Sequence, residues 1–340
     1  MKRSDKTLYL TELNVLSCLS VVLLHCNGVF WSRPEGRLWI TSNFIETFFY
    51  FSVPVFFMIS GATLFDYSER YSTREYFRKR FHKAVIPFFI WSIIGFIYLV
   101  LKGSVRSEDI NILHILDGVL NTRYTSIYWF FIPLFGFYLS IPILENIKDK
   151  IQWFQYGIAL GFLFVVTLPF ISSLIGMTYN WALAPSVVNS YILYAMVGYV
   201  LSRKDISRIR RWAIYAFGFV GWVMHFLGTI ISSPEGQISD IFKGYLNLPC
   251  FLHACAVFVL VKYISISRNE RYVKILNWFA KRTFGIYLVH IYLVWEIPAR
   301  LHFETGNIIW RTAGAVIVFA LSAGIVWIIQ QIPVLKRMVP

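Results

Sequence analysis

Charged side chains are scarce in this chain of 340 residues: lysine, arginine, aspartate and glutamate together make up 15% of it. Soluble globular proteins carry about 25% of these residues, so the chain departs strongly from their composition. Hydrophobic residues account for 57% and aromatic residues for 19%, and the mean hydropathy is +0.59. The composition therefore indicates an integral membrane protein and excludes a chain of soluble domains.

Cysteine is also rare, and the four cysteines form no metal-binding pattern. Cys18, Cys26, Cys250 and Cys255 all fall inside apolar segments, without the spacings of zinc ligands. We interpret them as small core residues and expect no metal cofactor. Repeats and low-complexity tracts are absent as well, and no appended soluble domain is expected. A single membrane domain over residues 1–340 is predicted.

Apolar segments of about 17 to 25 residues recur along the chain, the length that crosses a bilayer as a helix. They predict an all-α, polytopic membrane bundle of about ten transmembrane helices. The predicted spans are 9–31, 43–65, 84–102, 127–144, 152–175, 182–201, 212–232, 245–265, 275–297 and 309–332. The first follows a basic start (Lys2, Arg3 and Lys6) without a small-residue cleavage site, so it is expected to remain as a helix.

Lysine and arginine predict the orientation, because short cytoplasmic loops retain them. With the N-terminus inside, the inner loops hold most of these residues, including the groups at 70–83 and 203–211. Both termini are therefore predicted to be cytoplasmic. The net charge of +14 then describes a basic inner face that meets anionic membrane lipid. A nucleic-acid partner is not expected, because it would need a soluble basic domain.

Two loops carry apolar residues at helical spacing. Between the third and fourth spans, positions from Ile110 to Leu116 predict a short interfacial helix. On the inner side, the basic and aromatic stretch from Tyr67 to Lys83 predicts an amphipathic segment on the membrane surface, before Pro87 opens the third span.

His25 lies inside the first apolar segment, and an ionisable group at that depth marks a candidate functional site. Desolvation among apolar side chains favours the neutral imidazole, which can remove a proton from a hydroxyl. His290, in the ninth predicted span near Lys281 and Arg282, is a candidate hydrogen-bond partner. Glu46, also near a span, is expected to pair with a cation.

Four further segments of the sequence form an ordered set of motifs together with His25. Residues 49–65 read FYFSVPVFFMISGATLF, 78–93 read RKRFHKAVIPFFIWSI, 129–144 read WFFIPLFGFYLSIPIL, and 283–291 read TFGIYLVHI. In this order they resemble the acyltransferase 3 family of membrane O-acyltransferases, which modify surface glycans. The resemblance covers most of the chain, from Tyr9 to about Trp295.

The resemblance implies transfer of an acyl group, chiefly acetyl, from cytoplasmic acetyl-CoA to a hydroxyl of a cell-surface polysaccharide or of its lipid-linked precursor. It also implies a bacterial cell membrane as the location. His25 matches the histidine of the family's first-span motif and would act as the general base. The family's arginine, eleven residues earlier, is replaced here by Asn14. Either another cation takes over the electrostatic role of that arginine, with Arg282 and Lys281 as candidates, or the site works without one and Asn14 is itself a catalytic residue that acts as a hydrogen-bond donor.

The family's pair of basic residues before the third-span proline corresponds to Arg80 and Lys83. A lysine keeps the charge of the usual arginine but loses its bidentate fork. We expect this pair to bind the phosphates of the acyl-CoA, together with the neighbouring Arg78 and Arg74. Four residues are expected to support the site: Ser60, Tyr287, His290 and Arg282.

Alternatives accompany these predictions. The basic cluster also fits an ordinary inner loop, and Ser60 with Gly61 also fits a close helix crossing. Direct attack of His25 on the thioester, giving an acyl-imidazole, is a second chemical route. A second function is export of a glycan or lipid-linked intermediate, although no convincing pair of inverted repeats is evident. Self-association into a homo-oligomer is left open.

Overall fold

The computed structural model describes residues 7–105, 110–188, 190–264 and 269–340. Within these ranges the chain is helical and contains no strand. The basic residues Lys2, Arg3 and Lys6, which preceded the first predicted span, lie outside the described residues. The chain is an all-α polytopic membrane protein, as its composition predicted.

The first half of the chain supplies eight helices, some of them joined end to end by single-turn segments. These helices are α1 (Leu8–Cys26), α2 (Gly36–Phe49), α3 (Ser52–Leu64), α4 (Thr73–Arg80), α5 (Ile86–Leu101), α6 (Ile112–Leu120), α7 (Phe131–Glu145) and α8 (Ile151–Gly161). The short helix expected in the loop after the third span is α6, which confirms the helix, while its place at the membrane interface stays a prediction.

The second half supplies seven more helices among the described residues. These are α9 (Leu168–Leu174), α10 (Ile192–Arg203), α11 (Arg208–Ser232), α12 (Leu248–Tyr263), α13 (Glu270–Ala280), α14 (Thr283–Leu301) and α15 (Ala315–Gln331). Helix α1 occupies a central place, because it contacts α2, α3, α12, α13, α14 and α15.

Seven helical stretches of the described chain are long and apolar enough to cross a membrane. They are Leu8–Cys26, Gly36–Leu64, Thr73–Leu101, Ser126–Glu145, Ile151–Leu174, Arg208–Ser232 and Trp310–Gln331. Ile192–Arg203 and Leu248–Tyr263 are shorter apolar helices. The number of ten spans and the inside position of the termini stay predictions.

The predicted start of the third span at Pro87 is wrong. Ser72 caps α4 by accepting a hydrogen bond from the Glu75 amide at 3.3 Å, so the helix begins with Thr73. It then continues through a π-helical turn, Phe81–Val85, into α5. A π turn adds a residue to the helix, and this one lets the chain pass Pro87 without ending. The basic stretch is therefore the first part of a long helix.

The ninth predicted span, 275–297, is also wrong as a continuous helix. Lys281 and Arg282 separate α13 from α14, and the Arg282 amide closes a tight turn on the Phe279 carbonyl at 2.8 Å. The first span is shorter than predicted, because a 3-10 turn at Gly28–Ser32 follows Cys26. The sixth begins ten residues late, at Ile192, after two short 3-10 turns.

Glycine allows α3 and α10 to cross closely beside the candidate site. A Cβ atom on Gly61 would lie 1.9 Å from the Ala195 carbonyl oxygen, and one on Gly198 would lie 2.2 Å from that of Met58. Both positions therefore require glycine, as in close crossings of membrane helices. The neighbouring Ser60 lines a cavity. Gly61 therefore belongs to the close helix crossing, whereas Ser60 lines the cavity, so each of the two interpretations holds for one residue.

Candidate active site

Two cavities adjoin in the middle of the bundle, along one face of α1. The Asn14 cavity, about 130 Å³, includes Asn14, Ser60, Tyr138 and Thr283 in its lining. The His25 cavity, about 220 Å³, includes His25, Trp31, Glu46 and Tyr245. The residues that line both cavities are Val21, Val53, Phe130 and Tyr287. Because these side chains are shared, the two cavities lie against one another along α1, and we refer to the pair as the path.

The helical repeat of α1 explains why these positions share a face. Asn14, Val21 and His25 are seven and four residues apart, spacings that return to the same side of an α-helix. Eleven residues at 1.5 Å each separate Asn14 from His25 by about 16 Å along the axis. Asn14 thus lies near one end of the path and His25 near the other.

His25 takes part in a chain of two hydrogen bonds that fixes its tautomer. Its Nδ1 lies 2.7 Å from His290 Nε2, and His290 Nδ1 lies 3.0 Å from the Ile286 carbonyl oxygen. A carbonyl oxygen only accepts, so His290 Nδ1 carries the proton, and neutral His290 presents a bare Nε2. His25 must then donate through Nδ1. This leaves its Nε2 as a free base, with no hydrogen-bond partner among the described residues.

Glu46 brings a second ionisable group to the same cavity. Its Oε1 accepts a hydrogen bond from Lys243 Nζ at 2.7 Å, so the expected cation partner of Glu46 is Lys243. The ammonium also lies 3.8 Å from the Tyr50 ring centroid. Burial lowers the pKa of Lys243, and the Glu46 carboxylate opposes that shift. The pair spans 197 residues of sequence, which is why no sequence pattern identified it.

A basic groove adjoins the Asn14 cavity. This Arg80 groove, about 530 Å³, is lined by Arg78, Arg80 and His82 together with apolar side chains, and it shares Tyr138 with the Asn14 cavity. The Arg80 guanidinium lies 5.5 Å from the Tyr138 ring centroid. Its Nε is buried without a hydrogen-bond partner in the described part of the chain. The Arg80 side chain thus borders the groove as a cation whose charge faces no carboxylate among the described ion pairs.

The other two basic residues predicted for this site, Lys83 and Arg74, are exposed and do not line the groove. The structure therefore brings together Arg78 and Arg80 and leaves Lys83 and Arg74 outside.

The residues considered as replacements for the family's arginine are not in the cavities. Asn14 Nδ2 donates to Thr283 Oγ1 at 3.0 Å. The next residue back along the chain, Arg282, turns away: its guanidinium donates to the Trp278 carbonyl and lies 4.1 Å from the Trp278 ring centroid. Lys281 is exposed. The described residues therefore place no cation beside Asn14.

The remaining supporting residues hold the walls of the path. Tyr287 donates its hydroxyl to the Ile127 carbonyl, joining α14 to the turn before α7. Ser60 donates to the Phe56 carbonyl at 2.8 Å within its own helix. Both residues line the path, and since each hydroxyl already donates its proton, it can meet a ligand only as an acceptor.

Comparison with known proteins identifies the family of the chain. The model of the Acyl_transf_3 family, described as an acyltransferase domain, matches residues 10–327, which is nearly the whole chain. No curated protein and no solved structure matches the chain significantly. The matched range contains all the residues that line the two cavities and the Arg80 groove.

Proposed function

The chain belongs to the acyltransferase domain family, and from this we propose that it moves an acetyl group from acetyl-CoA to a hydroxyl of a cell-surface polysaccharide or of its lipid-linked precursor in a bacterial cell membrane. One observation supports a specific role for His25 as the general base of this reaction. His25 lines a cavity, and its hydrogen bond with His290 implies a neutral tautomer in which His25 Nε2 carries no proton.

The free nitrogen suits general-base chemistry on a sugar hydroxyl. His25 Nε2 takes the hydroxyl proton while the oxygen attacks the thioester carbonyl carbon. The carbon–sulfur bond then breaks, and the CoA sulfur leaves with the proton that His25 returns. His290 accepts the Nδ1 hydrogen bond throughout, so it is a positioning residue that keeps the imidazole in the basic tautomer. Direct attack of Nε2 on the thioester would use the same geometry.

The donor would approach from the Arg80 groove. Arginine suits phosphate because its planar fork makes two parallel hydrogen bonds, and Arg78 and Arg80 both line the groove. The acyl arm would then run through the Asn14 cavity, whose walls are mostly apolar, to His25. With the N-terminus inside, this route leads from a cytoplasmic donor to an acceptor on the other side.

The test is replacement of the proposed base. His25→Ala should lower transfer by about 10²- to 10⁴-fold, the contribution of a positioned general base. Initial rates are measured in membrane vesicles with radiolabelled acetyl-CoA, by following label in the glycan fraction. His114→Ala, an exposed histidine outside both cavities, is the matched control and should transfer normally.

His290 variants sharpen the same test. His290→Leu removes the acceptor for His25 Nδ1 and should lower the maximal rate without changing the acetyl-CoA concentration needed for half-maximal rate. His290→Gln keeps an acceptor oxygen and should retain more activity than the leucine variant. Normal transfer by a stable His25→Ala protein would refute the assignment of the base.

A further inference from the structure

A second polar atom at the His25 cavity lacks a partner. Glu46 is 2% exposed, and while its Oε1 binds Lys243, its Oε2 has no hydrogen-bond partner within the described ranges. A buried carboxylate oxygen without a partner is costly, and nearly all buried polar groups in native proteins are bonded. Oε2 itself is enclosed, but Glu46 lines the cavity, and a small rotation of its carboxylate would let a ligand there supply the missing hydrogen bond.

The walls around Glu46 are aromatic and fixed in place. Tyr245 stacks on Tyr50 at 4.2 Å between centroids and on Trp129 at 5.5 Å, with interplanar angles of 6° and 22°. Trp31 also lines the cavity and is 58% exposed, so it marks the side open to the surroundings. Aromatic walls with a few fixed polar groups are typical of small-molecule sites.

Charge and size restrict what this cavity accepts. No lysine or arginine lines it in the part of the chain that the structure describes. Lys243 lies behind Glu46, with Nζ within 4.7 Å of the Phe30 and Trp31 ring centroids. The Glu46 carboxylate would therefore repel an anionic sugar, and no lysine or arginine among the described residues lines the cavity to offset that repulsion. The volume of about 220 Å³ is below the ~300 Å³ of the smallest drug-sized sites, which fits one sugar ring.

We propose that Glu46 binds the acceptor: its Oε2 accepts a hydrogen bond from a second hydroxyl of the neutral sugar whose reacting hydroxyl is deprotonated by His25, and the site rejects sugars that carry a carboxylate. This inference rests on the proposed function, because it assigns the acceptor of that reaction. It makes Glu46 a specificity-determining residue, and it makes Lys243 the residue that orients the carboxylate through Oε1.

The first test distinguishes a loss of acceptor binding from a loss of the stability that the ion pair of Glu46 and Lys243 provides. Glu46→Gln should lower label transfer in membrane vesicles at least about tenfold, the value of one hydrogen bond to a charged group. The double variant Glu46→Gln, Lys243→Met removes both charges. If the ion pair serves only to stabilise the fold, replacing both partners restores the stability that the single change loses. We expect this double variant to fold and still transfer poorly. Recovery of the wild-type rate would overturn the inference.

A matched control uses a carboxylate elsewhere. Glu145 is 7% exposed and pairs with Lys148, but it lines neither cavity, so Glu145→Gln should leave the rate of the folded enzyme unchanged. Thermal unfolding and gel-filtration profiles of each purified variant report its folding.

The second test needs only the wild-type protein. Mass analysis of the labelled sugar, performed separately on the finished polysaccharide and on the lipid-linked fraction, shows which source supplies the acceptor. The label should be on a neutral sugar, and label on a uronic or sialic acid overturns the inference. If the wild type transfers no label, the proposed function itself fails. If it transfers label and Glu46→Gln matches it, only the role of Glu46 fails.

Discussion

Two buried lysines of this bundle, Lys243 and Lys148, differ in the number of carboxylates that contact them and in whether those carboxylates have further partners. Lys243 meets a single carboxylate, Glu46, one of whose oxygens has no partner among the described residues. Lys148 is 8% exposed and meets three carboxylates, Asp66, Glu69 and Glu145, at 3.4, 3.0 and 3.6 Å. The first pair borders the His25 cavity, whereas the second lies between α3, α7 and α8.

The carboxylates around Lys148 have further partners. Asp66 pairs with Arg203 and accepts the Tyr199 hydroxyl at 3.2 Å. Glu145 accepts the Ser68 amide at 2.9 Å. Burial lowers the pKa of Lys148, but its hydrogen bond with Glu69 and the neighbouring carboxylates raise that pKa above its ordinary value overall. For Lys243 the net shift is downward, because one carboxylate does not outweigh burial.

This difference suggests a rule for the bundle. A charged group whose polar atoms all have hydrogen-bond partners has none left to bind a ligand. We therefore assign such a group to the stability of the fold. Residues that line a cavity and keep an unused polar atom, such as Glu46 and His25, retain the capacity to bind or react.

Lys148→Met should lower stability strongly without changing the reaction. The change leaves the buried Glu145 without a cation among the described residues, and breaking a buried ion pair costs about 3–5 kcal/mol. Unfolding of the purified protein in detergent measures the loss. Lys150→Met, two residues away and exposed, is the control and should unfold like the wild type.

The folded fraction of the Lys148→Met protein should keep its half-saturating acetyl-CoA concentration. A variant as stable as the wild type, or one that needs more acetyl-CoA, would contradict the assignment of this cluster to stability alone.

Arg80 is an exception among the basic residues of its helix, because its buried Nε is unbonded within the described chain. By the rule above it should bind a ligand. Arg80→Ala should raise the half-saturating acetyl-CoA concentration about tenfold, the effect of one charge-assisted hydrogen bond, with a small change in maximal rate. Lys83→Ala and Arg74→Ala should have weaker effects, since neither lines the groove. Equal effects of all three variants would instead indicate general attraction of the donor by positive charge.

Sequence reasoning located the features that depend on local pattern. The apolar segments predicted the helical fold, and a histidine in an apolar span pointed to His25, because both signals lie within about twenty residues. The break at Lys281 and Arg282 was missed, since two charged residues do not by themselves end an apolar helix. The π turn before Pro87 was missed because proline usually opens a helix.

Contacts between distant helices could not be derived in the same way. His25 and His290 are 265 residues apart, and Glu46 and Lys243 are 197 apart. The sequence identified His290 and Glu46 as polar residues in apolar surroundings, which predicts that each needs a partner. It did not identify the partner of either residue, because that depends on how the helices pack. The unused atoms, which carry the functional argument, follow only from the complete set of hydrogen bonds.

The smallest effect is expected at Asn14, where the family's arginine is replaced. Its amide already donates to Thr283 Oγ1, which in turn donates to the Ala280 carbonyl at 3.1 Å. Because this hydroxyl keeps a partner after the change, Asn14→Ala should cost about 1 kcal/mol of stability, the net value of a neutral hydrogen bond. Transfer should fall by less than about fivefold. The assay is the initial rate of label transfer, with Thr283→Val as the matched variant that removes the other partner of the bond. A loss comparable to that of His25→Ala would show that Asn14 contacts the donor directly and that complete pairing does not exclude a role in the reaction.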